Sequence, residues 1–298
     1  MKATRPDGSI SPRKIVVLLG PTAVGKSDFA VRLAKKFHGV ILSADSRQVY
    51  RGMNIGTGKI TRQEMRGVSH FLLDVASPRG QYTAARYLRD ISTVVKRIPK
   101  ETPLFLVGGT PFYIDIVLHP DRISAVPPNP RLRKALEKKS TAALLSELRR
   151  RDSTRYRQID HQNRRRIIRA LEIALGTPVP TKTFPKLQPL QLGLTLPNAQ
   201  LFKRIDRRVD QRMRAGMLHE VRQLHNRGIS WKRLDAFGLE YRFLSRALRG
   251  DIALSEAISQ LKSAIHHFAR RQMTWWKRDQ SIHWVSSTRS AEKIVREF

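Results

Sequence analysis

Gly20-Pro21-Thr22-Ala23-Val24-Gly25-Lys26-Ser27 spells G-x-x-x-x-G-K-[ST], a spacing that turns backbone N–H groups toward a phosphate while the lysine adds a positive charge. ATP is the ordinary tenant of such a loop, but the pattern reads phosphate charge and leaves the rest of the ligand to other residues. SADSRQVYRGMNIGTGK (43–59) puts the carboxylate of Asp45 among hydroxyls. There it serves either as a proton acceptor or as the cap of a turn, and spacing does not separate the two. PLFLVGGTP (103–111) ends in Gly-Gly-Thr, where an ATPase with this loop would carry a magnesium-binding Asp. HFLLD offers Asp74 instead, which keeps an ordinary NTPase in play as the weaker reading.

Positioning these groups requires a particular order of elements. KIVVLLG (14–20) is a short apolar run leading into the loop, and DFAVRLAKKF (28–37) has Phe29, Leu33 and Phe37 on one helical face. GVILSADS (39–46), HFLLDV (70–75), PLFLVGG (103–109) and LQLGLTL (190–196) read as further buried strands, IHWV (282–285) as a last one, and YTAARYLRDISTVVKRI (82–98) as a helix. Strands alternating with helices predict an α/β fold, a parallel sheet flanked by helices. Asp45, Asp74 and the Gly108-Gly109-Thr110 turn should converge beyond the carboxyl ends of its strands. The proline-rich AVPPNPR (125–131) opens a basic helical insertion around RRRDSTRYRQIDHQNRRRIIRALEIALG (149–176), and TPVPTKTFPKLQP (177–189) closes it. Ile167, Ile168, Leu171 and Leu175 can pack on one side of that insertion while its arginines stay free. The expected domains are residues 1–119 with 190–298, and 120–189; a long helix is expected near 198–227, with more helices to about 279.

Charge is the strongest compositional signal. In 298 residues, 57 Lys+Arg against 24 Asp+Glu give a net +33, which attracts polyanions, nucleic acid foremost; a solvated arginine-rich surface is the blander reading. Apolar residues make up 40% of the chain, enough for a sizeable core. The absence of cysteine excludes disulfides and thiolate metal sites and suits a reducing cytoplasm. MKATRPDGSISPRK lacks the apolar run of a signal peptide, and no stretch approaches the roughly 20 apolar residues that cross a bilayer. A soluble, cytoplasmic protein with no membrane partner is expected.

GPTAVGKS, SADSRQVYRGMNIGTGK, HFLLDVASPRGQYTAARYLRD, LVGGTPFY, QNRRRIIRALEI, RIDRRVDQRMRAGMLHEV and FARRQMTWWKRD together resemble, in order and over nearly the whole chain, the tRNA dimethylallyltransferase (tRNA isopentenyltransferase) family. The resemblance implies a P-loop NTPase-like core with a tRNA-binding helical insertion. It implies transfer of the dimethylallyl group of dimethylallyl diphosphate to the N6 amine of the adenosine 3′ to the anticodon, releasing pyrophosphate. Gly20, Pro21, Thr22, Ala23, Val24, Gly25, Lys26 and Ser27 would hold the diphosphate with Arg204 and Arg208. Ser27 would ligate Mg²⁺, Asp45 would be the general base, and Thr22 would border the reacting centre. The anticodon stem-loop of tRNA would be met by Asp45, Ser46, Arg47, Gln48, Thr110, Tyr113, Arg133, Arg165, Arg166, Ile167, Ile168 and Arg169, with Thr110 and Tyr113 lining the target base's channel. Core packing is the competing role for Tyr113, and helix-surface pairing for Arg204 and Arg208. A monomer is expected. One stretch departs from the family pattern: AFGLEYRFL (236–244) puts two residues between Gly238 and Tyr241, where members carry Gly-Tyr-Lys/Arg.

Three other functions compete. A P-loop kinase or NTPase is disfavoured by the missing Asp after the 103–107 strand, and an adenylate isopentenyltransferase by the basic insertion, which a free nucleotide does not need. A basic RNA-binding protein with an inert loop is disfavoured by the intact Lys26, Ser27 and Asp45.

Overall fold

The computed structural model describes residues 11–179 and 184–298. Most of the polar N-terminal stretch (1–10) and part of the insertion's exit (180–183) lie outside the described residues. Six strands form one sheet in the order β3-β2-β4-β1-β5-β6. They are β1 Arg13–Leu19, β2 Val40–Ser43, β3 His70–Phe71, β4 Leu104–Val107, β5 Leu187–Leu194 and β6 Ile282–Val285. Every neighbouring pair is parallel. Ile15 to Leu19 of β1 are buried, as expected of a central strand with helices on both faces. β1 lies between β4 and β5, with Val17 opposite Leu106 on one side and Gln191 on the other. Chain order therefore reverses at β1, and the crevice left at its carboxyl end is where the phosphate loop begins.

The helices that frame this crevice follow from apolar periodicity. In Ala84–Arg97, Thr83 caps the N-terminus through the N–H of Arg86, and Tyr87, Ile91 and Val95 are buried in one row. In Asn198–Arg214 the buried row is Leu201, Ile205 and Val209. The long helix Leu254–Trp276 buries Ala257, Leu261, Ile265, Ala269 and Trp276, with Gln272 in the same stripe.

The chain divides into two compact units, Asp121–Thr183 and the remainder. The strand that follows the insertion starts earlier than its apolar run suggests, because Leu187 already pairs with Arg13. The smaller unit packs Leu136, Leu144, Leu148, Ile167, Ile168, Ala170 and Leu171 into its own core. Asn129, Ser140, Asp152 and Asn163 cap its successive helices. The basic stretch 149–176 is helical, with Thr141–Arg151 ending within it and Ser153–Gln158 and Arg164–Leu175 following.

Two other expectations need correction. The helix expected near 198–227 breaks after Arg214, where Gly216 takes a φ of 95° that ends one helix and starts Met217–Asn226. HFLLDV keeps only two strand residues, because Leu72 (φ 67°) and Asp74 (φ 54°) turn left-handed. No helix among the described residues is long and apolar enough to cross a membrane.

Candidate active site

β1 delivers the chain to the phosphate loop, and Lys26–Lys36 leaves it. Gly25, at φ 103°, occupies the N-cap, and no side chain caps the helix. Its first N–H groups are left for an anion, which the helix dipole also favours. Ala23 holds φ 63°, a strained conformation for a residue with a side chain and one that concentrates at ligand sites. Lys26 Nζ donates to the carbonyls of Gly20 (2.9 Å) and Pro21 (2.7 Å). Burial and the nearby Arg208 push its pKa down to about 7, against the opposing pull of Asp45. The loop is tethered from 250 residues away: Gln272, itself buried, accepts the N–H of Thr22 (2.9 Å) and donates to the carbonyl of Gly109.

The acid turn follows β2. Asp45 Oδ1 accepts the N–H groups of Arg47 (2.8 Å) and Gln48 (3.3 Å), so one oxygen caps the turn and Oδ2 remains to take a proton. The two roles that spacing leaves open are compatible on a single carboxylate. Thr110 Oγ1 accepts the Ser46 N–H (3.2 Å), and Gln48 Nε2 donates to the Gly58 carbonyl (3.2 Å). Between acid turn and phosphate loop runs the end of β4, which must be thin. A Cβ on Gly108 would lie 2.2 Å from the Ala44 carbonyl oxygen, and one on Gly109 would lie 2.9 Å from Gln272 Nε2 and 3.5 Å from Lys26 Nζ. Gly-Gly is what allows the carboxylate turn and the lysine to share one crevice.

On Asn198–Arg214, Arg204, Arg208 and Arg212 recur every fourth residue, beside the row that enters the core. Arg204 Nη1 reaches the Val24 carbonyl at 3.4 Å. Arg208 makes no hydrogen bond or ion pair with a described residue; burial and the adjacent Arg212 press its pKa down to about 10, with Glu240 and Asp45 opposing. Arg212 Nη1 bridges the Gly56 carbonyl and Glu240 Oε1, each at 3.4 Å. The loop beneath is organised by Glu220, which accepts the N–H groups of Asn54, Ile55 and Gly56 and the hydroxyl of Tyr241. Tyr241 is buried there, so the departing AFGLEYRFL stretch turns its tyrosine inward.

Asp74 sits in an ion pair. Its Oδ1 is paired with Lys59 Nζ at 2.5 Å, and no cluster of three or more His, Cys, Asp or Glu able to hold a metal occurs among the described residues. Tyr113 is buried and stacks on Tyr87 with ring centroids 4.1 Å apart; burial, chiefly, raises its pKa and keeps the phenol protonated.

In the smaller unit the expected RNA contacts separate into three kinds. Ile167 and Ile168 are core residues, which corrects their assignment as tRNA contacts: their side chains are packed inside the unit, while Arg165 and Arg166 beside them are exposed. Arg133 and Arg169 close on the buried Glu172, at 2.5 and 3.4 Å. Burial raises the Glu172 pKa, but hydrogen bonds from Arg133 and the Asn129 N–H and the charge of both arginines outweigh it and hold it below the ordinary value. A buried carboxylate costs several kcal/mol unless so compensated.

Glu220, Gln272, Arg212 and Glu240 were not anticipated. For Arg212 the four-residue spacing in RIDRRVDQR was an available signal, and for Gln272 its place in an apolar stripe; Glu220 and Glu240 carry none.

The family model described as IPP transferase matches residues 48–279. The chain belongs to the IPP transferase family. It is 40% identical over 286 residues to a tRNA dimethylallyltransferase of Thermomicrobium roseum, covering 93% of this chain and 87% of that protein. It is 41% identical over 279 residues to tRNA dimethylallyltransferase 2 of Trichlorobacter lovleyi, covering 91% of each. The crystal structure of the full-length tRNA isopentenylpyrophosphate transferase of Bacillus halodurans is similar at a TM-score of 0.72 and 34% identity, covering 96% of this chain and 95% of that one. Within the IPP transferase family the all-parallel sheet seen here is the P-loop NTPase-like core.

Proposed function

We propose that this chain transfers the dimethylallyl group from dimethylallyl diphosphate to the exocyclic N6 of the adenosine 3′-adjacent to the anticodon in tRNA, releasing pyrophosphate. Family membership supports the reaction class. The observation that carries the mechanism is the thin Gly108-Gly109 strand end: a Cβ on Gly108 would lie 2.2 Å from the carbonyl oxygen of Ala44, the neighbour of Asp45, and one on Gly109 would lie 3.5 Å from Lys26 Nζ. A proton acceptor and an anion cradle then face one crevice.

N6 attacks the allylic carbon, the carbon–oxygen bond to the diphosphate breaks, and the N6 proton passes to Asp45 Oδ2. An adenine amine is a weak nucleophile because its lone pair is delocalised into the ring, so removing the proton as the bond forms lowers the barrier. Negative charge accumulates on the leaving pyrophosphate, where the uncapped helix N-terminus, Lys26, Arg204 and Arg208 stabilise it. Lys26 would exchange its two carbonyl acceptors for phosphate oxygens, and Thr22 borders the reacting carbon. Ser27, at the start of the loop helix, fits Mg²⁺ as one hard oxygen donor beside the diphosphate. When bound, Mg²⁺ adds charge neutralisation at the diphosphate.

For RNA, the turn Asp45, Ser46, Arg47 and Gln48 with Thr110 would receive the unstacked adenosine, since chemistry on a base requires it to leave its stack. Tyr113, behind them, backs this wall. Arg165 and Arg166 would hold backbone phosphates of the anticodon stem-loop. Arg133 and Arg169 would support that surface through Glu172. Incubating purified protein with dimethylallyl diphosphate, Mg²⁺ and unmodified tRNA bearing adenosine at the target position should give a prenylated nucleoside on digestion. ATP hydrolysis without prenylation of any candidate tRNA would overturn the assignment.

A further inference from the structure

Arg212 is the least explained cation of the crevice. Its side chain is 13% exposed, its Nη2 is buried, and that atom has no hydrogen-bond partner. Leaving a charged donor unsatisfied in the interior is costly, so such an atom points to a missing acceptor. Its Nη1 contacts to Gly56 and Glu240 are both long, at 3.4 Å.

The surroundings say what kind of acceptor. The position a Cβ would take on Gly58 lies 1.4 Å from Arg212 Nη2 and 2.3 Å from Arg208 Nη2. Two guanidinium tips therefore abut over a glycine, and any side chain at residue 58 would part them. Glu240 pairs with Arg212 at 3.4 Å, while Arg208 makes no hydrogen bond or ion pair with a described residue. Adjacent like charges repel unless an anion bridges them, and guanidinium N–H donors are suited to an oxyanion acceptor. One helical turn before Arg208, and two before Arg212, Arg204 touches the phosphate loop.

We propose that Arg212 is a diphosphate-binding residue that joins Arg208 in a two-arginine clamp on the phosphate distal to the allylic carbon, with Glu240 holding Arg212 in place while the site is free. This rests on the function proposed above and extends its site by one residue. The clamp would grip the diphosphate in the ground state and keep hold of the pyrophosphate after the carbon–oxygen bond breaks. RNA backbone phosphate shares the same oxyanion chemistry, and the experiment separates the two sources.

The test measures binding of inorganic pyrophosphate to the full chain without RNA, together with KM for dimethylallyl diphosphate and for tRNA. Arg212→Lys keeps the charge but not the fork, and Arg212→Met with Glu240→Gln removes the pair without stranding a carboxylate. Melting temperatures verify that each variant is folded. The double variant should bind pyrophosphate about 10-fold or more weakly, the lysine variant should fall between it and the unaltered chain, and KM for tRNA should stay within about twofold. Combining Arg212→Lys with Arg208→Lys should weaken pyrophosphate binding by less than the product of the single effects, because both would hold one anion. Pyrophosphate affinity within about twofold of the unaltered chain in every folded Arg212 variant overturns the proposal, and a rise in KM for tRNA alone reassigns the clamp to RNA phosphate. If the unaltered chain prenylates no tRNA, the function proposed above fails instead.

Discussion

In the smaller unit Arg133 and Arg169 close on the buried Glu172, whereas in the sheet unit Arg208 and the Nη2 of Arg212 meet no acceptor among the described residues. Both regions are rich in arginine, but Arg133 and Arg169 come from two helices, whereas Arg204, Arg208 and Arg212 share one. The difference lies in where the compensating charge comes from. Glu172 neutralises its arginines from within, so they hold helices together. Around the phosphate loop Arg208 forms no ion pair with a described residue, although Glu240, Asp45 and Glu64 act on it from a distance, and a diphosphate would supply a direct partner.

The largest test of this contrast removes the acid from the crevice. Asp45→Asn keeps an Oδ1 that caps the turn but cannot accept the proton, so single-turnover prenylation should slow by about 10²–10⁴ with an unchanged melting temperature. An undiminished rate would reduce Asp45 to its cap.

The corresponding change in the smaller unit should act on stability and spare chemistry. Glu172→Ala should destabilise that unit by about 2–3 kcal/mol, less than for a fully dry pair because Arg133 is partly solvated, read by hydrogen exchange over 141–175. The Glu172 pKa is depressed in the folded state, so its stabilisation is present above the unfolded value and lost as pH falls through the folded one. Glu172→Gln should flatten that acid dependence.

A finer test compares arginines within one unit. Arg165→Ala with Arg166→Ala should weaken tRNA binding about 10-fold and reduce the salt slope by roughly one per lost phosphate contact. Arg133→Ala should lower stability and leave that slope nearly unchanged. Equal slopes for both variants would erase the distinction between scaffold and contact.

A further test concerns Lys26. Its pKa is depressed to about 7 in the free protein, so between pH 7 and its ordinary value the unfolded chain binds more protons, and folding stability rises with pH across that window. Lys26→Met should remove that part of the rise, measured as the difference between the two proteins' pH–stability curves.

Much of the arrangement was legible in the chain. The apolar runs ending in GPTAVGKS, SADS and VGGT locate three strand ends, and an alternating α/β order leaves few ways to arrange them except as a parallel sheet with those ends together. HFLLDV misled because strand and left-handed turn use the same apolar residues, and only packing separates them. Ile167 and Ile168 were readable as core from their spacing, yet they sit inside an arginine run whose resemblance pointed to RNA.

The sequence alone settled which local chemistry exists: a phosphate loop before a helix, a carboxylate after the second strand, a double glycine after the fourth, and a large excess of positive charge. These follow from short-range geometry, since a glycine's freedom or a capping oxygen acts over a few residues. Tertiary structure decided which charges are paired. Gln272 reaches Thr22 across 250 residues, Glu220 gathers the 54–56 amides across more than 160, and Glu240 meets Arg212 from another helix. Electrostatic compensation depends on distance in space and on exclusion of water, and neither is written into the neighbouring letters of a chain.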